Sequence, residues 1–154
     1  MKKLVVSIAM FVAVFATAFA ADGSKISYRV EAAFKKEFAG AKSVKWEVVR
    51  KAELFQAHFI YNNERLNAFY DAEGNLIATG RFVAVANLPY LLRKNVYEKY
   101  KGFQIKDVIE YVQGDETSYL ISVENEKAKL LVHGYINGSA YIFKKEKKNS
   151  LAKL

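Results

Sequence analysis

Cysteine is absent from all 154 residues, and proline occurs once, at Pro89. The missing thiols exclude disulfide staples, thiolate catalysis, cysteine-held metals and lipoprotein acylation, so packing must hold the fold. Histidine is nearly absent too: only His58 and His133 occur, with no His-x-His or His-x-x-x-His spacing to hold a metal. A Gly-x-Ser-x-Gly elbow, a phosphate-cradling glycine loop and a dinucleotide fingerprint are likewise missing. Carboxylates do cluster near turns, at Glu53, Glu64, Asp71, Glu73, Asp115 and Glu116, but surface solubility accounts for them without a glycosidase pair. The chain therefore reads as a non-enzyme, with no cofactor and no metal.

What is present begins with an export signal. Lys2 and Lys3 open it, an apolar stretch runs from Leu4 to Phe15, and the small-residue ending Ala18-Phe19-Ala20 precedes Ala21. That three-part form is a secretory signal peptide over 1–20, cleaved after Ala20, and its apolar run is short for a membrane span. The expected location is periplasmic or extracellular, with no stable membrane anchor after cleavage. Removal of the leader takes the formal charge from +8 to +6 and leaves 134 residues, enough for one domain that buries roughly two-thirds of its unfolded surface. A basic balance inside a cell would suggest nucleic acid, but an exported chain is poorly placed to meet it.

The remainder alternates between two periods. Val30, Ala33, Phe34 and Phe38 fall at helical spacing within Ser27 to Phe38, and Gly40 follows. Val44, Trp46 and Val48 then alternate with Lys45 and Glu47, as in a strand with one buried face. A second strand spans Leu54 to Tyr61, Asn62-Asn63 makes a hairpin turn, and a third strand runs from Leu66 to Tyr70. The turn Asp71-Ala72-Glu73-Gly74-Asn75 leads into a fourth strand, from Leu76 to about Val85.

The pattern then restarts. Pro89 suits the first turn of a helix carrying Leu88, Leu92, Val96 and Tyr100, and Gly102 repeats the role of Gly40. Strands are expected at about Ile105 to Gln113, Ser118 to Glu124, Lys127 to His133 and Ala140 to Phe143. At an offset of 64, the first turn is answered by Tyr135-Ile136-Asn137-Gly138-Ser139, while Phe55, Ala57 and Phe59 fall on Tyr119, Ile121 and Val123. The expected fold class is α+β: a tandem repeat of one helix plus four antiparallel strands, forming a continuous, roughly eight-stranded sheet with both helices on one face. Repeat one covers about 25–86 and repeat two about 87–143 of a domain spanning 21–143. Lys144-Lys145-Glu146-Lys147-Lys148 opens a basic tail, 144–154. A solvated terminus accounts for that cluster; weak contact with anionic surfaces is the alternative.

The ordered set of helix, Val44-Lys45-Trp46, Phe55-Gln56-Ala57-His58-Phe59, Ala68-Phe69-Tyr70-Asp71-Ala72-Glu73-Gly74 and Asn87-Leu88-Pro89 resembles the PepSY-like, β-lactamase-inhibitor-like (BLIP-like) proteins exported by Bacteroidetes-type bacteria. The resemblance covers nearly all of the mature chain. It implies helices on one face of the sheet and a concave opposite face available for binding. Inhibition of a β-lactamase is not carried over, because the inhibitor's repeats are held by disulfides and no stretch here matches its inserted hairpin.

If Phe55, Ala57, Phe59, Ala68, Tyr70, Tyr119, Ile121 and Val123 face the helices, alternation sends Gln56, His58, Ile60, Asn67, Phe69, Ser122, Leu131 and His133 to the reverse side. Amide, imidazole and aromatic groups mixed on one face suit a protein contact, so the expected function is a secreted binding module presenting this open face to a protein or peptide. A periplasmic small-molecule or lipid carrier is the alternative, and a hydrolase comes third. A plain solvated sheet face is the structural explanation for the same residues.

Overall fold

The computed structural model describes residues 26–49 and 53–148; residues 1–25, which include the expected leader, residues 50–52 and the end of the basic tail, 149–154, lie outside them. Ser27 caps the first helix, α1 (Tyr28–Glu37), its hydroxyl accepting the Val30 N–H at 3.3 Å. Val30 and Phe34, one turn apart, are the buried pair of α1, while Glu31 and Lys35 form an exposed ion pair at 3.7 Å. Such a pair adds only a few tenths of a kcal/mol. The stability of α1 therefore rests on what Val30 and Phe34 touch.

They touch a three-stranded antiparallel sheet of β1 (Lys42–Val49), β2 (Leu54–Tyr61) and β3 (Glu64–Tyr70). Ala57, Phe59, Ala68 and Tyr70 complete the buried cluster, with Phe38, Trp46 and Phe55 packed at its margin. Phe34 meets Phe59 edge-on at 4.9 Å between ring centroids and Trp46 edge-on at 5.3 Å, the favoured aromatic geometry. Asn62 and Asn63 both carry positive φ (49° and 64°) between the paired Tyr61 and Glu64, as a tight two-residue hairpin requires.

The chain continues through β4 (Leu76–Phe82), a 3-10 turn (Val85–Asn87), α2 (Tyr90–Lys99), β5 (Gln104–Gln113), β6 (Glu116–Glu124), β7 (Ala128–Tyr135) and β8 (Ala140–Lys147). The strands follow sequence order through an eight-stranded sheet, and the chain divides into two compact units between Ala78 and Thr79, inside β4. In the second unit Leu88, Leu92, Val96 and Tyr100 pack on Val108, Tyr119, Ile121, Val123, Leu130 and Val132. All eight residues assigned to the helix side are thus found there, each against the helix of its own unit.

The two units share backbone detail. Gly74 and Gly138 both have φ of 87°, and each turn carries the same pair of bonds: Gly74 N–H to Asp71 O with Asp71 N–H to Asn75 O, and Gly138 N–H to Tyr135 O with Tyr135 N–H to Ser139 O. The Asp71 carboxylate also accepts the Asn75 N–H and side-chain amide, both at 2.8 Å, so this aspartate is a turn lock. Register agrees as well: Ala57 faces Ala68 and Ile121 faces Val132, each 64 positions apart. β1 and β5 are both irregular near their starts, between Lys42 and Lys45 and between Ile105 and Asp107.

Several boundaries differ from the sequence reading, most by one or two residues. β4 ends at Phe82 rather than Val85, because Val85–Asn87 coil into the 3-10 turn. Pro89 stands just before α2 as its cap residue. β8 continues through Lys147, so most of the basic cluster is ladder rather than tail, with Lys144, Lys145 and Lys147 opposite Leu131, Leu130 and Ala128.

Close approach of α2 to β7 depends on Gly134, where an added Cβ would lie 2.6 Å from Leu92 Cδ1. Leu92 is fully buried, so its methyl groups could move only by displacing other core side chains. Gly134→Ala is expected to lower stability by about 1 to 3 kcal/mol, read as a lower urea midpoint at unchanged slope. Combined with Leu92→Ala it should cost less than the sum of the two single losses. An unchanged midpoint in Gly134→Ala would contradict the packing described.

Candidate functional site

On β2 and β3 of the first unit, the residues between the helix-facing ones are Gln56, His58 and Ile60, and Asn67 and Phe69. Alternation gives their direction correctly. Their depth differs from the open face expected: Gln56, Asn67 and Phe69 are at most 3% exposed, His58 is half-buried and only Ile60, at 38%, is open. Strand periodicity fixes which way a side chain leaves the backbone and carries no information on what lies beyond it.

Hydrogen bonding on this side is incomplete. Asn67 Oδ1 lies 2.6 Å from His58 Nδ1, and an amide oxygen only accepts, so the imidazole donates there. His58 Nε2 lies 3.5 Å from Glu47 Oε2 on β1, an ion pair when the ring is protonated. Asn67 Nδ2 is buried without a partner, and so are both amide atoms of Gln56. Each buried polar group left in this state costs about 1 to 3 kcal/mol.

The reverse side of the second unit repeats the theme. Ile109, Leu120, Ser122, Leu131 and His133 are each no more than 2% exposed. Ser122 Oγ and His133 Nε2 have no partner. His133 Nδ1 lies 2.7 Å from the Tyr141 hydroxyl on β8, and the rings of His133, Tyr135 and Tyr141 gather with centroids 4.5 to 6.3 Å apart. Burial pushes the Tyr135 hydroxyl up to about 12, assisted by its contact with Tyr141. Ile109, Leu120 and Tyr141 are members that sequence reasoning missed. The irregularity in β5 hid the phase of Ile109, whereas the repeated turn at 135–139 could have paired His133 with Tyr141.

Among the described residues no group of three or more His, Asp and Glu side chains is placed to hold a metal ion. An apolar hollow between α1 and β1, lined by Phe34, Phe38, Val44 and Trp46, holds about 220 Å³. Ligand pockets typically hold roughly 300 to 1,000 Å³, so this one falls short of a lipid. In the second unit Lys144 pairs with Glu146 at 2.6 Å, and Lys148 and Lys106 pair with Glu124 at 3.0 and 3.4 Å. The Lys partners hold the Glu124 and Glu146 carboxyls below the usual range.

Burial holds the His133 imidazole near a pKa of about 4, below its ordinary value, so it is neutral in the folded chain at pH 7. An unfolded histidine takes up its proton near pH 6.5, so the unfolded state binds more protons between pH 6.5 and about 4 and stability falls as pH drops through that window. The full loss is roughly 3 kcal/mol. Urea unfolding from pH 7 to 4.5 should show the decline, and His133→Phe should remove most of it; an equal decline in both proteins would contradict a buried neutral imidazole.

No protein-family profile and no curated protein matches the chain. Solved structures do. A BLIP-like protein from Bacteroides fragilis is 21% identical with a TM-score of 0.60, over 83% of this chain and 92% of that one. A DUF2874 family protein from Bacteroides uniformis is 16% identical with a TM-score of 0.68, over 82% and 92%. A candidate periplasmic protein from Bacteroides eggerthii is 12% identical with a TM-score of 0.67, over 84% and 90%. Among the described residues no helix is long and apolar enough to cross a membrane. At these identities the likeness is one of fold, and the fold of this chain is BLIP-like.

Proposed function

We propose that this protein is an exported, non-catalytic binding module of the PepSY-like, β-lactamase-inhibitor-like type, whose reverse sheet face receives a protein or peptide partner. The leader over 1–20, cleaved after Ala20, delivers it to the periplasm or beyond. One observation carries the reading: Gln56, Asn67, Ser122 and His133 all hold buried polar atoms without partners, and all lie on the side away from the helices. The strands' other side is apolar and closed by α1 and α2. Among the described residues the helix side leaves two tyrosine hydroxyls unmet, those of Tyr70 and Tyr100, whereas the unmet amide, serine hydroxyl and imidazole groups stand on the reverse side, which is what supports a binding face there. Nucleic acid remains a poor partner for an exported chain, and the small size of the apolar hollow weighs against a lipid carrier.

A photo-crosslinking residue in place of Ile60, on the reverse side, should capture a partner in the native host. The same residue in place of Leu91, exposed on the outer side of α2, should not. Phe69→Ala combined with His58→Ala should reduce capture at Ile60 at least tenfold. Equal capture from both positions, or capture from Leu91 alone, would count against the reading.

A further inference from the structure

We propose that β1 (Lys42–Val49) pairs antiparallel with β1 of a second copy of this chain, about a two-fold axis at Trp46. β1 stands at one end of the strand order and is bonded to β2 alone, so its outer row of N–H and C=O groups has no ladder partner among the described residues. Ser43, with φ of 55°, lies within the irregularity at the start of the strand, and from Val44 onward the side chains alternate. Val44 and Trp46 line the hollow between α1 and β1, and Val48 shares their side, opposite Phe55 of the helix-side cluster. Lys45 and Glu47 take the reverse side, opposite His58 and Gln56. The open edge thus carries three apolar residues on one side and a cation and an anion on the other.

Two-fold symmetry restricts how such an edge can meet its copy. An isologous contact sets residue i against j and j against i, and helix-side groups meet helix-side groups only where the axis passes through a residue position. Centred on Trp46, Lys45 meets Glu47 twice, Val44 meets Val48 twice and the two indoles meet each other. Centred on Lys45 or on Glu47, that charge faces its own copy. Unlike charges or aromatic rings directly across a ladder contribute about 0.2 to 1 kcal/mol per pair, whereas like charges there are destabilising. The groups concerned are available: Lys45 is exposed and makes no ion pair among the described residues, and the half-exposed Glu47 carboxylate has only the 3.5 Å contact to His58. Val44 is 36% exposed, and Val48 of the second copy would cover it at the mouth of the hollow.

The opposite end of the strand order lacks this match. In β8 the one centre that sets Lys144 against Glu146 also sets Lys145 against itself and Phe143 against Lys147. Lysines so placed protect an edge from pairing. A foreign strand could add to β1 as well, but only a second copy necessarily brings an anion opposite Lys45 and a cation opposite Glu47.

A ladder of this length is a small interface, so the dimer is a weak one and is sought by sedimentation equilibrium of the mature chain up to about 1 mM. The wild-type chain should dimerise. Glu47→Lys and Lys45→Glu should each weaken self-association at least tenfold, because each sets like charges across the ladder. An equimolar mixture of the two variants should form a heterodimer within about threefold of the wild-type affinity, since both unlike pairs are then restored. Both variants remain cationic overall, so net charge does not drive the mixing, and both positions are exposed, so the urea midpoints should stay near that of the wild type. A wild-type chain that stays monomeric throughout, single variants that dimerise as well as the wild type, or a mixture no tighter than either variant alone overturns the proposal.

Discussion

Successive side chains of a strand leave the backbone on opposite sides, and a sheet that buries one side with helices must still do something with the other. Here the rule is applied in two units. Phe59 and Tyr70 under α1, and Ile121 and Val132 under α2, consume one parity of each strand. Gln56 and Asn67, and Ser122 and His133, hold the remaining parity. Neither parity can shift alone, because a one-residue slip of register would exchange the two sets.

The energetics of the two sides are opposed. On the helix side, aromatic edges and aliphatic side chains meet without polar atoms between them, apart from tyrosine hydroxyls such as that of Tyr70, whose pKa burial and nearby Glu37 raise to about 12. On the reverse side, buried Phe69 stabilises the β2–β3 pair that Gln56 weakens, and Leu131 stabilises the strand β7 that His133 weakens. A sequence under pressure for stability alone would place leucine or valine at those polar positions. On the function proposed above, their presence is stability given up for contacts to a partner, the usual relation between stability and function at a binding surface.

Much of this was legible in the residues. The second strand, Leu54–Tyr61, needed no structure, since its alternation is unbroken and Asn62-Asn63 is a hairpin signal. The paired turns at Asp71 and Tyr135 were also readable, because glycine at 74 and 138 marks positive φ in both. What escaped was whatever depends on neighbours distant in sequence. β8 was cut short at Phe143 because lysines look like a solvated tail until paired with Ala128–Leu131. Residues 83–85, at the entry to the 3-10 turn, were read as the end of the fourth strand because valine favours strands wherever nothing interrupts. Depth on the reverse side was illegible for the same reason: the pattern at Gln56 and Asn67 is that of an exposed face, and only coordinates reveal their enclosure.

The account turns on which side of the sheet meets the outside. Hydroxyl-radical footprinting of the mature chain, alone and with its captured partner, measures this directly. Protection should appear at His58 and Ile60 and be absent from Tyr90, Leu91 and Tyr97 on the outer side of α2, which are 53% to 68% exposed. Protection confined to those three α2 residues, with the reverse face unchanged, would contradict it.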